Sequence, residues 1–289
     1  MRSKPSSGNL AKTALLLLSI PLCLILSGCQ LSLEPTYKEK DISRLVKQIC
    51  KDEYGLEVVT HCTKTTLWIY MPLSKMLHQD YAEGSGKFFD DELMDKLRNI
   101  MTTIGRVILS ADKSPGFYAL WSSDINIGID YIIIGNVTDI KKSYAGVIPA
   151  TELNQRYVIR FGLNPQAVGD AAGTHMNFYD ITLTDFLAQQ MAQRLVFRMQ
   201  GEEIKKYFKV ESSEGIFKDG VFMLEYNIIE AAAPEKYIDI TQEALDIASY
   251  CVKTYEFRDF LGVWVRNILT NEVAVLDKNE VLARPMPVS

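Results

Sequence analysis

Residues 41–71, DISRLVKQICKDEYGLEVVTHCTKTTLWIYM, set the architecture of this chain. Ile42, Leu45, Val46, Ile49 and Cys50 recur at the spacing of an amphipathic helix, and Asp41 precedes them as a candidate cap. Gly55 can take a left-handed conformation and stops the helix. The period then changes. Leu56 to Cys62 and Thr65 to Met71 read as strands, the second alternating Leu67, Ile69 and Met71 against Thr66, Trp68 and Tyr70. Thr63-Lys64 supplies the turn and Pro72 the end. The unit is a helix followed by a strand pair.

The unit recurs along the chain. A second helix runs from Asp91 to Leu109, its stripe formed by Leu93, Leu97, Ile100, Met101, Ile104, Val107 and Ile108, with Asp90 and Asp91 at its positive end. Past the breaker Ser114-Pro115-Gly116, strands are expected over Phe117 to Ser122, Tyr131 to Ile140 and Tyr157 to Leu163. A third helix, Asp185 to Phe208, turns Phe186, Leu187, Met191, Leu195 and Met199 inward and leads to strands around Ile216 and from Val221 to Ile229. A fourth, Gln242 to Glu256, buries Ala244, Leu245, Ala248, Cys251, Val252 and Tyr255 before a hairpin of Leu261 to Leu269 and Glu272 to Asp277. This order predicts an α+β fold, an antiparallel or mixed sheet built from helix–strand–strand units with the helices packed on it. It argues against a doubly wound sheet, in which single parallel strands alternate with helices. The helices start at unequal spacings, so no sequence repeat is read. The charged stretch Gly201 to Gly220 is a candidate boundary between two lobes.

The first thirty residues decide where such a body resides. Arg2, Lys4 and Lys12 precede the apolar run Ala14 to Leu26, which is too short to span a bilayer and is interrupted by Pro21. Leu26-Ser27-Gly28-Cys29 closes it and resembles the lipobox of bacterial lipoproteins. That resemblance implies acylation of Cys29, removal of residues 1–28 and a lipidated tether over 29–40, with the α+β body at 41–289. It implies an envelope location, and Gln30, in a position where Asp favours inner-membrane retention, points to the outer membrane, facing the periplasm, in a two-membrane cell. The tether is short, so the body stays near the membrane. The mature chain keeps 28 Lys and Arg against 36 Asp and Glu, a net charge of −8. An acidic body has no long-range attraction for nucleic acid or anionic lipid, so attachment falls to the acyl chains.

Cys50, Cys62 and Cys251 remain in the body. Export permits a disulfide, and Cys50 with Cys62, closest in sequence, is the candidate pair. Cys251 reads as a small core residue. The three histidines, His61, His78 and His175, occur in no metal-binding spacing. Gly84-Ser85-Gly86 is no hydrolase elbow, no phosphate-binding glycine loop occurs, and no cofactor is implied. Gly135 inside an apolar strand marks a bulge or a close backbone approach.

Gly162 to Asn177 is a long irregular segment, where Asp170, His175 and Asn177 could converge on a ligand; the plainer reading is an exposed connection. Trp68, Tyr70, Trp121 and Trp264 fall on predicted strands, and a strand face left uncovered would be a partner site. The function expected is a non-catalytic binding or assembly component that engages an envelope protein or cell-wall polymer. The alternative is an envelope hydrolase using Asp or Glu, which would need two convergent carboxylates with separated pKa values.

Overall fold

The helix predicted first is α1, Ile42–Tyr54, closed by Gly55 at φ 65°. Asp41 does not cap it: its carboxylate instead takes Arg44 at 3.2 Å. A hairpin of β1, Val59–Cys62, and β2, Thr66–Leu73, follows. Next come α2, Asp91–Leu109, capped by Asp90 through the Glu92 amide, and strands β3, Phe117–Asp124, and β4, Ile129–Asn136. The computed structural model describes residues 35–78, 88–234 and 237–285. The leader, the lipobox with Cys29, the tether as far as residue 34 and the Gly84-Ser85-Gly86 loop lie outside them.

The strand expected through Ile140 ends at Asn136. There the Asn136 side chain accepts from the Thr138 amide at 2.8 Å and starts α3, Val137–Tyr144, with Val137 and Ile140 turned inward at helical spacing. A short α4, Ala150–Arg156, precedes β5, Val158–Leu163. The third long helix, α5, spans Leu183–Met199 and stops short of Phe208, which opens β6, Phe208–Lys218. Then β7, Val221–Glu230, α6, Ile240–Thr254, β8, Gly262–Asn267, β9, Val273–Asp277, and α7, Lys278–Ala283, complete the described chain.

The strands form two mixed sheets, in the orders β1-β2-β3-β4-β5 and β6-β7-β8-β9. In each, a hairpin is joined by a helix to a parallel neighbour, β2 to β3 through α2 and β7 to β8 through α6, and a second hairpin closes the set. Counting the leading helices α1 and α5, an αββαββ unit therefore occurs twice. The first copy adds α3, α4 and β5, and the second adds α7. From Tyr37 on, the chain forms one compact unit that carries both sheets. The charged stretch 201–220 is a turn followed by β6.

One face of each sheet is covered by helices. Leu67, Ile69, Met71, Tyr118 and Leu120 meet Ile42, Val46, Leu97, Ile100 and Ile104 from α1 and α2. Phe222, Leu224, Tyr226, Val263 and Val265 meet Leu187, Met191, Leu195, Leu245 and Ala248 from α5 and α6. Helix α5 serves both sheets: the Gln193 side chain accepts from the Ile159 amide of β5, and the Ala192 carbonyl accepts from Ser213 of β6. Gly215 of β6 lies so close to the Ala188 carbonyl that a Cβ would fall 1.9 Å from its oxygen. Gly135 is a close approach of the same kind, directly beneath the Tyr118 ring of the neighbouring strand.

The expected Cys50–Cys62 bridge does not form: both thiols, and that of Cys251, are free. Helix α1 turns Cys50 into the core beside Thr103 of α2, and Cys62 packs partly buried against the same cluster.

Candidate functional site

The long segment after β5 is a strap. It crosses the face of the first sheet opposite α1 and α2. Tyr70 donates its hydroxyl to the Asp170 carbonyl at 2.7 Å, and Trp68 its indole N–H to the Tyr179 carbonyl at 2.9 Å. Phe178 stacks on His61 at 4.7 Å, and Asp180 takes the Thr63 hydroxyl and the Thr65 amide and hydroxyl, pinning the β1–β2 turn. Gly173, at φ 70°, lies against the Tyr70 ring, where a side chain would collide. Trp68 and Tyr70, whose face would have been a partner site if open, are thereby buried.

Two of the three candidate ligand residues meet inside this strap. Asp170 Oδ2 accepts from the His175 amide at 2.8 Å and from Thr174 at 2.9 Å, and contacts His175 Nδ1 at 2.7 Å. Burial alone would raise the Asp170 carboxyl, but hydrogen bonds from His175 and Thr174 hold it far below the ordinary carboxylate range. The His175 ring stands edge-on to Tyr70 and Trp121, its side chain 4% exposed, with Nε2 buried and unpaired. Asn177 is exposed and does not join them. The arrangement clasps the strap.

A second polar cluster lies between the two copies of the unit. Asp139 takes Arg156 at 2.7 Å and the Tyr255 hydroxyl. Glu152 Oε1 takes Arg156, Arg194 and Tyr250 at 2.5–2.8 Å. Beside it opens a cavity of about 550 Å³, lined by Glu152, Arg194, Arg198, Glu243, Asp246 and Tyr250 among others. Each carboxylate there has an arginine: Glu152 as above, Glu243 with Arg198 at 3.0 Å and Asp246 with Arg284 at 2.6 Å. Burial opposes the Glu152 charge, but Tyr250 and the two arginines prevail and lower its pKa. Glu152 is held ionised and engaged, unlike a general acid kept neutral for proton transfer. Among the described residues no group of three or more His, Cys, Asp or Glu side chains could hold a metal ion.

The second sheet provides what the first does not. Along β7, Phe222, Leu224, Tyr226 and Ile228 face the helices, and Val221, Met223, Glu225 and Asn227 face away. The register aligns the outward residues of all four strands. Ile216, Met223, Trp264 and Val275 form one continuous apolar row across the sheet. Ile216 is 54% exposed and Val275 62%. On one side of the row lie Glu214, Glu225, Arg266 and Val273, and on the other Lys218, Val221, Gly262 and Asp277. Arg266 reaches Glu225 at 3.4 Å within the sheet. At ~4.8 Å between strands the row runs about 14 Å from Ile216 to Val275, and among the described residues no strap corresponds to the one on the first sheet.

Of this row, the aromatic pattern of the sequence singled out only Trp264. The alternation in Val221 to Ile229 implies an outward Met223, but the alignment of all four residues depends on strand pairing, which sequence period leaves open. The chain matches no known protein family, no curated protein and no solved structure.

Proposed function

We propose that the chain is a lipid-anchored protein of a bacterial cell envelope whose body binds a protein partner through the open face of the second sheet. The observation that carries this reading is the row Ile216–Met223–Trp264–Val275, apolar throughout, exposed at Ile216 and Val275 and partly exposed at the central methionine and tryptophan, and flanked by charges. Such a centre and rim suit a protein interface. The anchor is supported by Leu26-Ser27-Gly28-Cys29, and Gln30 favours the outer membrane of a two-membrane envelope. A binding role is favoured over Asp/Glu hydrolysis because the cavity carboxylates are all tied to arginines.

The test places a photo-crosslinking amino acid at position 264 of the full chain in cells, with the exposed position 141 of α3 as control. A discrete adduct from 264 and none from 141 is expected. Equal adducts from both, or none from 264, would refute the reading. In parallel, Cys29→Ser should abolish fatty-acid labelling, and a labelled Cys29→Ser product would remove the anchor from the proposal.

A further inference from the structure

The open face carries a charge pattern that selects its own occupant. We infer that a second copy of this chain packs on it, face to face, about a two-fold axis parallel to the strands and passing between β7 and β8; this rests on the binding role proposed above for the same face. The operation lays β6 of one copy over β9 of the other, and β7 over β8. Met223 then faces Trp264 of the second copy, and Ile216 faces Val275. In the flanking rows Glu225 faces Arg266 and Lys218 faces Asp277, each contact occurring twice by symmetry. Because Glu225 and Arg266 already pair within one sheet, the two copies close a square of alternating charge. Glu214 comes over Val273 at the outer edge, where it stays hydrated.

The other face-to-face two-fold, along the apolar row, is disfavoured by the same residues. It would stack Trp264 on Trp264 and pair Glu214 with Lys218, but it sets Glu225 over Val221, Arg266 over Gly262 and Asp277 over Val273, so fewer charges meet an opposite charge across the face. The strand-parallel axis also gives the near-aligned strand directions in which two sheets pack, ~10 Å apart. The matched area is small: four strands by about six residues cover roughly 400 Å² per copy, about half that of a standard stable interface. Two copies held on one membrane surface meet at a far higher effective concentration than in dilute solution. The test therefore uses the full chain in its envelope.

Ile216→Cys and Val275→Cys are introduced together and singly, and membranes are treated with a short bis-maleimide able to bridge ~10 Å between packed sheets. Within one chain the two positions lie three strand spacings apart, about 14 Å, so the reagent reports contact between copies. The double variant should run at twice the chain mass in at least tenfold greater yield than either single variant or the unaltered chain. Adding Met223→Glu, an outward position, should cut that yield at least tenfold with no loss of protein from the membrane. Dimer from Ile216→Cys alone, or persistence after Met223→Glu, would overturn the arrangement. Absence of dimer together with a position-264 adduct of a different protein would overturn the second copy while sparing the binding role. Absence of both removes both.

Discussion

Replacing Ile104 with alanine tests the packing logic of the first unit. Ile104 lies midway along α2, fully buried between α1 and the first sheet. Removing three carbon groups at ~0.8 kcal/mol each forfeits about 2.4 kcal/mol of transfer energy. Its neighbours Ile100, Val107, Ile108 and Leu120 are themselves locked in the core, so the site collapses only in part. The cavity carries the total toward ~4 kcal/mol, within the range seen for such truncations. The comparison is Lys96→Ala on the same helix, whose side chain is 29% exposed and pairs with Glu92 across one turn. That pair contributes at most about 0.5 kcal/mol. Urea unfolding followed by tryptophan fluorescence reads both changes, since Trp68 and Trp121 sit in the first sheet. With a slope of about 3 kcal/mol/M, Ile104→Ala lowers the midpoint by ~1.3 M and Lys96→Ala by under ~0.2 M. Equal shifts would mean that the α2 stripe is not the packing seam described here.

Asp170→Asn should destabilise the chain near neutral pH, with the difference from the parent fading below about pH 4. The folded carboxyl lies below its unfolded value, so its stabilisation is complete above that value and is lost on acidification. A difference constant from pH 7 to 2 would contradict the clasp. Thiol titration of the unfolded, unreduced body should find Cys50, Cys62 and Cys251 all reactive, and a single reactive thiol would restore the bridge. In the folded state Cys251, pushed up to about 12 by burial, should stay inert at pH 8, and rapid labelling there would contradict its place in the core.

Where local chemistry and tertiary packing agreed, the fold was legible in the sequence. The α2 boundaries follow from its stripe and from Asp90, and α1 ends at Gly55 as read. The α+β class followed from the recurring helix and strand pair. The misreadings fall where an apolar run is ambiguous or an element is short. Val137 and Ile140 extend the alternation of β4 but also lie three apart, and the Asn136 cap decides for helix. Helix α4 is held by long-range partners, Arg156 by Asp139 and Glu152 by Arg194, which no local pattern contains. Helix α7 did have a local signature, the reciprocal Asp277–Glu280 cap. Asp170, His175 and Asn177 were read as residues that could converge on a ligand; only the structure sets Asp170 against His175, beside Tyr70 and Trp121, with Asn177 apart. The apolar row of the second sheet depends on inter-strand register, so single residues could be flagged and their alignment could not.

The strap has a consequence for the order in which the molecule is completed. Every strand of the first sheet precedes it in sequence, so during synthesis β1 to β5 emerge before the segment that seals them. Until Asp180 and Ile181 are available, Trp68, Tyr70 and Trp121 have no cover, and the β1–β2 turn has no clasp. A ribosome-stalled fragment ending before the strap would thus present an aromatic surface that the finished chain hides. Adding the strap, some twenty residues, is what covers that surface.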